Sequence, residues 1–218
     1  MADRPAAAPD GPPARVRVIG RTITWLVARF PFLWRFLRGP TRRFFDGVAP
    51  GWNQVVGDTP KRMASLEAAL AELDAPPSRI LDLGTGTGAA AGWLARRFPR
   101  AEVVGVDISP AMIEVARAGL EPELADRLRF EVADADDLDP GLGTFDLIVQ
   151  VSVPAFFAGI ARALRPGAHV IVISSLGTAT PFHTPPHLLE RGFRRHGIEV
   201  VATGSAGPGT FVVARRTS

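Results

Sequence analysis

Residues 80–88 read Ile80-Leu81-Asp82-Leu83-Gly84-Thr85-Gly86-Thr87-Gly88, and no other run in the chain says more about the fold. Asp82 apart, the first four residues are apolar, as in a strand covered on both faces. The glycines that follow permit a tight turn and let a ligand approach the backbone closely. An Ala- and Leu-rich helix is expected over residues 87–98, and its N-terminus offers unpaired N–H groups. A strand, a glycine-rich turn and a helix in this order predict a nucleotide-type cofactor site.

Strand and helix patterns alternate around this run. Strands are predicted over residues 79–83, 102–106, 128–132, 145–151 and 168–174, and helices over residues 87–98, 110–118, 154–164 and 185–196. Such alternation is typical of a parallel sheet with helices on both faces. Residues 198–203 and 210–215 predict two last strands, joined by too few residues for a helical crossover and therefore antiparallel. The predicted fold class is α/β: a three-layer, doubly wound, seven-stranded sheet, mostly parallel, with a C-terminal antiparallel hairpin.

Composition and charge divide the chain into three parts. Residues 1–14 are rich in Ala, Pro and Asp without periodicity, which predicts a disordered tail. Residues 15–58 are predicted to form an Arg-rich helical arm or cap, and residues 59–218 the cofactor-binding domain. Residues 1–46 hold nine Arg against three Asp, a balance of +6, whereas the remaining residues hold 16 basic and 19 acidic side chains, a balance of −3. The basic character therefore lies in the arm.

The arm leaves several partners open. Residues 15–38 repeat apolar side chains at helical spacing, but arginines interrupt them, so the segment lacks the roughly 20 apolar residues of a membrane span. We favour a helix that packs on the domain or on a second subunit of a homo-oligomer. The alternative is an interfacial helix that contacts an anionic membrane or caps a lipophilic substrate. Nucleic acid is the less favoured partner, because Arg is frequent throughout the chain.

Three carboxylates are candidate cofactor contacts, and two of them narrow the choice of cofactor. Asp107 is expected at the tip of the second strand, about 20 positions after the glycines, where it suits the ribose hydroxyls of NAD or of S-adenosylmethionine alike. Asp82 interrupts an apolar strand and is costly to bury unless paired. The ammonium group of a methionine moiety would pair with it, and NAD has no such cation at that end. Asp134 follows the third strand, where a carboxylate can accept from an adenine amino group.

The order of these motifs resembles that of the class I S-adenosylmethionine-dependent methyltransferases. The matching runs are residues 80–88, Val104-Gly105-Val106-Asp107-Ile108-Ser109-Pro110-Ala111-Met112, Asp134-Ala135, Thr144-Phe145-Asp146-Leu147-Ile148-Val149 and Leu164-Arg165-Pro166-Gly167-Ala168-His169-Val170. The resemblance covers roughly residues 55–216 and implies S-adenosyl-L-methionine as cofactor, with S-adenosyl-L-homocysteine as product. It implies cofactor contacts from Asp82, Gly84, Thr85, Gly86, Gly88, Asp107, Ile108, Met112, Asp134, Ala135 and Gln150.

The residues before the domain refine this resemblance. Residues 44–53 resemble the segment that precedes the domain in the branch containing quinone-biosynthesis and other small-molecule methyltransferases. An aromatic-Asp pair usually closes that segment, and here Trp52-Asn53 stands in its place. Phe156, Phe157 and Phe182, with the aromatic residues of the arm, predict an apolar acceptor pocket.

Few residues offer acid–base chemistry near the expected acceptor. His183 and His187 follow the fifth strand, and either is a candidate general base; the alternative is that both are surface loop histidines. The chain has no cysteine, which excludes disulfides and a cysteine nucleophile and suits the cytoplasm. Ser174-Ser175 stands where the magnesium-dependent catechol-type enzymes of this family carry an Asp-Asn pair, so no metal is predicted.

The sequence thus predicts a methyltransferase acting on a small, apolar or aromatic molecule by in-line displacement. Residues 150–157 lack the Asn-Pro-Pro-aromatic motif that amino-methylating nucleic-acid enzymes of this fold commonly carry. Two alternatives stay open: a methyltransferase that acts on RNA or protein through the basic arm, and a non-catalytic cofactor-binding domain. The expected location is cytoplasmic, with a peripheral membrane contact through residues 15–38 as an open alternative.

Overall fold

A computed structural model describes the backbone of residues 14–56 and 59–217, and the side chains of residues 17–54 and 63–217. The strands are β1 (Arg79–Leu83), β2 (Glu102–Asp107), β3 (Leu128–Val132), β4 (Phe145–Val151), β5 (Leu164–Ser174), β6 (Ile198–Ala206) and β7 (Gly209–Arg216). The helices are α1 (Ala14–Arg29), α2 (Trp34–Val48), α3 (Trp52–Val56), α4 (Thr59–Leu70), α5 (Ala89–Arg97), α6 (Pro110–Ala118), α7 (Phe157–Ala163) and α8 (Pro186–Arg194). The predicted tail, residues 1–14, lies outside the described residues except for Ala14, which begins α1.

The seven strands form one sheet in the order β3-β2-β1-β4-β5-β7-β6. Strands β1 to β5 run parallel, and β7 is antiparallel to both β5 and β6. Alternate side chains of β1 point to opposite faces: Ile80 packs with α4 and α5 on one side, and Leu81 with α7 and α8 on the other. Two buried cores therefore sandwich the sheet between helices, and the predicted three-layer α/β fold class is confirmed.

The sheet reverses its winding at β1. Its neighbours are β2 on one side and β4 on the other, so the chain leaves β1 in one direction and later returns in the other. The crevice beyond the carboxyl ends of such strands is where open α/β sheets bind ligands. The glycine-rich turn predicted from residues 84–88 lies at this point.

The hairpin joint is shorter than the sequence predicts. Residues 204–209 look like a loop, yet β6 and β7 extend through most of them and leave Gly207-Pro208 as the turn. Gly204 pairs with Phe211 across the two strands. A Cβ on Gly204 would lie 2.5 Å from the Phe211 ring, so the residue that suggested a loop makes room for an aromatic neighbour.

The second helix of the arm contains a proline. Helix α2 continues through Gly39 and Pro40, two residues that disfavour the interior of a helix. Pro40 has no N–H to donate within the helix. The tertiary contacts of Trp34 and Asp46, near the two ends of α2, hold the helix across this gap. Within the described part of the chain, no helix combines the length and apolar character needed to cross a membrane.

Candidate active site

A cavity of about 470 Å³ opens at the carboxyl ends of β1, β2 and β4. This volume is within the range of small-molecule and cofactor sites. The turn after β1 and the loops after β2 and β4 form its floor, and α2 and Trp52 cover it. Asp82 and Asp107 are the only ionisable side chains among the described residues that line it. The cavity therefore has one acidic end in an otherwise neutral wall.

The three glycines of the turn have different tasks. Each has a positive φ: +78° at Gly84, +55° at Gly86 and +85° at Gly88. Gly84 and Gly86 line the cavity, whereas Gly88 does not. A Cβ on Gly88 would lie 2.6 Å from the Phe130 ring, so this glycine packs against the core beneath the turn. Two of the three glycines thus leave backbone open to a ligand, and the third fixes the turn on the sheet.

Asp107 fixes the turn and the next loop with a single carboxylate. Its Oδ2 accepts a hydrogen bond from Gly86 N and its Oδ1 accepts one from Ser109 N, both at 2.9 Å. Burial raises the pKa of this carboxyl. Each oxygen keeps a second lone pair, which leaves the carboxylate able to accept hydroxyl groups. Ile108 and Met112, which follow it, also line the cavity.

Asp82 has an unpaired oxygen. Its Oδ2 accepts a 2.6 Å hydrogen bond from Thr85 Oγ1, and the backbone N–H of Ala91 lies close to the carboxyl, but the fully buried Oδ1 accepts no hydrogen bond of good geometry. Burial raises the pKa of Asp82 to about 6. Gly105 on β2 leaves space for the hydrogen-bonded side chains of Asp82 and Thr85, since a Cβ on Gly105 would lie 2.7 Å from Thr85 Oγ1. An unsatisfied carboxylate oxygen on a cavity wall is costly unless a ligand pairs with it.

Asp134 is already occupied by protein partners. Its Oδ1 accepts from Trp34 Nε1 at 2.7 Å and from Asp136 N at 3.0 Å. Its Oδ2 lies 3.5 Å from the Arg38 guanidinium. Asp134 is not on the cavity wall, although its neighbour Ala135 is. The structure therefore uses Asp134 to hold α2 on the loop after β3.

Gln150 also stands behind the wall. It is fully buried, and its Nε2 donates a 3.1 Å hydrogen bond to Pro154 O. This bond closes the loop after β4, whose residues Ser152, Val153 and Pro154 do line the cavity. Of the eleven predicted cofactor contacts, the structure thus brings eight to the cavity, namely Asp82, Gly84, Thr85, Gly86, Asp107, Ile108, Met112 and Ala135.

The arm makes two hydrogen bonds to the domain that were not predicted from the sequence. Asp46 Oδ1 accepts a 2.6 Å hydrogen bond from Ser109 Oγ, and this bond is the main cause of a lowered pKa at Asp46. Asn53 Oδ1 accepts from Thr87 Oγ1 at 2.6 Å. The arm is thereby tied to the loops after both β1 and β2. The signal was present in Phe45-Asp46, an aromatic-Asp pair seven residues before Trp52-Asn53.

Aromatic rings and two serines form the other end of the cavity. Phe45 lies 5.6 Å from Trp52 and 5.8 Å from Phe182, measured between ring centroids. Ser152 has a φ of +57°, and its Oγ lies 2.8 Å from Ser175 Oγ. A non-glycine residue at positive φ is strained, and such strain is concentrated at functional sites. Phe157, predicted for this pocket, packs instead against Phe193 in the core.

The two candidate bases lie off the wall. His183 is half-buried, and its Nδ1 lies 2.9 Å from Ser174 Oγ. Burial lowers its pKa, and the Arg21 charge lowers it further. His187 is exposed on α8. Of the two histidines, only His183 is close to the cavity. Phe182, which precedes it, lines the wall, and its partner Ser174 precedes the wall residue Ser175. Among the described residues, no group of three or more His, Asp or Glu could hold a metal ion.

Comparison with known proteins identifies the family. Residues 80–167 match the family model described as a methyltransferase domain. Residues 80–167 therefore form a methyltransferase domain. The magnesium-protoporphyrin O-methyltransferase of Rhodobacter capsulatus is 35% identical over 109 residues, 48% of this chain and 47% of that relative. The demethylmenaquinone methyltransferase of Thermus thermophilus is 39% identical over 108 residues, 46% of this chain and 49% of that relative.

A solved structure agrees on the fold. The magnesium protoporphyrin IX methyltransferase from Synechocystis PCC 6803, with bound SAH, superposes with a TM-score of 0.66 over 82% of this chain and 99% of that one. Its sequence is 17% identical to this chain, so the similarity shows the fold alone. The chain spans about half the length of the curated relatives that it matches. The predicted methyltransferase family and enzyme class, and with them the cofactor S-adenosylmethionine, are confirmed for residues 80–167.

Proposed function

We propose that this protein transfers a methyl group from S-adenosylmethionine to a neutral, apolar or aromatic small molecule. The observation that carries the proposal is the unpaired Oδ1 of Asp82, a buried carboxylate oxygen at the acidic end of a cavity whose other end is aromatic. An amino-acid ammonium group satisfies this oxygen, and the methionine part of the cofactor carries one. Two curated relatives are also named for small-molecule acceptors.

The cofactor end is assigned to the residues of the turn and of β2. Asp82 and Thr85 would hold the amino-acid group, with Gly84 and Gly86 offering backbone beside it. Asp107 would accept the ribose hydroxyls, because it is already oriented by Gly86 N and Ser109 N. When bound, S-adenosylmethionine supplies its methyl group on a sulfonium, which leaves as a neutral thioether after in-line displacement.

The acceptor end selects for neutral molecules. Phe45, Trp52 and Phe182 offer apolar faces, and no described ionisable side chain lies among them. The Ser152 and Ser175 hydroxyls are the polar groups that would orient the acceptor's oxygen or nitrogen. Positioning of this kind supplies on the order of 7–11 kcal/mol toward a two-reactant step. The aromatic cover formed by α2 excludes water from the reacting atoms.

A general base is needed only for an acceptor that loses a proton. His183 is the candidate that we retain, because it is linked through Ser174 to the strand end that bears Ser175. Its lowered pKa leaves the imidazole neutral, and so able to accept a proton, at neutral pH. A cytoplasmic location and a homo-oligomer stay predictions from the sequence.

The proposal is tested by following label from methyl-tritiated S-adenosylmethionine into a panel of acceptors. The panel pairs neutral phenols and quinols with carboxylic acids of similar size, and includes total RNA and a protein extract. Transfer to neutral aromatic members, lost in Asp82→Asn and Asp107→Ala, supports the proposal. Transfer to RNA or protein alone would support the alternative through the basic arm. Cofactor binding without transfer to any class would support a non-catalytic domain.

A further inference from the structure

The outer face of the arm carries an aromatic strip, which we define as the exposed Trp25, Phe32 and Phe36 and the half-buried Phe30. Trp25, Phe32 and Phe36 are 50%, 60% and 62% exposed. Large apolar side chains this open to solvent are uncommon when they lie together. These residues belong to α1, to α2 and to the turn between them, so the strip spans both helices.

Ring contacts make the strip continuous. The Trp25 and Phe30 centroids are 6.1 Å apart, and those of Phe30 and Phe32 are 6.2 Å apart, each pair edge to face. Phe36 lies four residues after Phe32, in the first turn of α2, and is the third exposed ring of the strip. Val18, which is 63% exposed, lies two turns before Trp25 on the same face of α1. The patch is therefore one surface.

The charge around the strip is of one sign. Positions 14–45 contain eight arginines and no acidic residue. The Arg29 guanidinium lies 4.8 Å from the centroid of Phe30, and that of Arg35 lies 4.5 Å from the centroid of Phe36. Guanidinium groups and aromatic rings thus share one face, as in helices that lie at the boundary between lipid headgroups and acyl chains.

We propose that this strip docks the protein on an anionic bilayer surface. The rings would enter the boundary region, and the arginines would contact lipid phosphates. A bilayer explains both features at once, since an acidic protein partner would not require the exposed rings and a nucleic acid would not require Val18. Docking does not depend on the proposed methyl transfer, although it would give an apolar acceptor a short route from the bilayer to the cavity. Helix α2 presents Phe36 outward and lines the cavity with Thr41, Phe45 and Val48.

Vesicle co-sedimentation tests the docking directly. The full chain is mixed with vesicles of phosphatidylcholine alone, or of phosphatidylcholine with about one third phosphatidylglycerol. We expect binding to the anionic vesicles only, and at least a tenfold loss of binding at about 0.5 M salt. The variant Trp25→Ser/Phe32→Ser/Phe36→Ser should bind at least tenfold more weakly. The control Val132→Ser/Val201→Ser removes two other exposed apolar residues, on the edge strands β3 and β6, and should bind normally.

A second variant and a second readout guard against a folding defect. Arg29→Gln/Arg35→Gln keeps the rings and should lose the preference for anionic vesicles, while S-adenosylhomocysteine affinity stays unchanged in every variant. Brominated lipids should quench the wild-type tryptophan fluorescence more strongly than that of Trp25→Phe. Absence of binding to anionic vesicles, or equal binding by the triple variant and its control, overturns the proposal. Self-association that the triple variant abolishes, without vesicle binding, overturns it in favour of a second copy.

Discussion

Trp34 Nε1 donates a 2.7 Å hydrogen bond to Asp134 Oδ1, which joins the first turn of α2 to the loop after β3. The Trp34 ring also packs edge-on against Phe156, with centroids 4.8 Å apart, and lines the cavity. One side chain therefore connects the arm, the loop after β3 and the loop after β4. The arm is part of the cavity, and the order of the cavity depends on this contact.

The variant Trp34→Phe tests that dependence. It keeps an apolar ring beside Phe156 but removes the indole donor to Asp134, so we expect a loss of about 1–2 kcal/mol in unfolding free energy. S-adenosylhomocysteine affinity should fall several-fold, because Ala135 shifts with its loop. Thermal unfolding and calorimetric titration measure the two effects. The matched control is Trp25→Phe on the aromatic strip. If the two variants have the same stability and affinity, the hydrogen bond from Trp34 does not order the cavity.

The raised pKa of Asp82 predicts a pH-dependent cofactor affinity. Its pKa of about 6 in the folded protein lies above the ordinary value of 3.8 for an aspartate, so between these pH values the folded protein holds the proton more tightly than the unfolded chain. The contribution of Asp82 to the free energy of unfolding therefore falls as the pH rises from about 4 to about 6. Binding of an ammonium group requires the ionised form, so affinity should increase about tenfold from pH 5 to pH 7.5.

Asp82→Asn is the control for this titration. The amide keeps a hydrogen bond to Thr85 but carries no charge at any pH. S-adenosylhomocysteine should bind more weakly, and the part of the pH dependence centred near 6 should disappear. A pH profile of the same shape in wild type and variant would show that another group, such as Asp107, controls binding.

Two substitutions of Ser152 distinguish the effect of its backbone strain from the effect of its hydroxyl group. Ser152→Ala keeps the side-chain penalty at a φ of +57° and loses the hydrogen bond to Ser175, whereas Ser152→Gly loses the bond but relieves the strain. We expect the Gly variant to be about 1 kcal/mol more stable than the Ala variant. Both should raise KM for the acceptor similarly, as should Ser175→Ala. If Ser152→Gly restores the wild-type KM, the hydroxyl does not orient the acceptor.

The two histidines differ enough to be tested against each other. For an acceptor that must lose a proton, His183→Ala should lower kcat by about 10²-fold or more, while the exposed His187→Ala should have no effect. The lowered pKa of His183 also predicts that stability is lost as pH falls below about 6.5, because the unfolded chain binds this proton more readily. Equal kcat in both variants would leave the reaction without a base from this chain.

The sheet was predictable because its determinants are local. Apolar runs broken by glycine specify where each strand ends, and the parallel order follows from the helical crossovers between strands. The hairpin joint was misread because Gly204 looks like a turn residue when Phe211, its partner seven positions later, is not considered. Strand glycines that accommodate a ring across the sheet cannot be told from loop glycines by composition.

The cavity floor was predictable and its cover was not. Asp82, Gly84 and Asp107 follow directly from the motifs, because each lies at or next to the end of a strand. Asp134 stays a predicted cofactor contact, but the sequence did not predict that Trp34, 100 positions earlier, donates to its Oδ1. Asp46 escaped notice because its partner Ser109 lies 63 positions away. Contacts between the arm and the domain depend on tertiary packing, which the local pattern does not encode.

The central claim is that the acidic end of the cavity binds the amino acid and ribose of S-adenosylmethionine. The most direct measurement is calorimetric titration with S-adenosylhomocysteine, with NAD in a parallel cell and Asp107→Ala as the variant. We predict micromolar binding of S-adenosylhomocysteine, no binding of NAD, and at least a tenfold loss of affinity in Asp107→Ala, the loss expected from about 1.5–3 kcal/mol for hydrogen bonds to a charged group. Binding of NAD alone, or equal affinity in the variant, would contradict the claim.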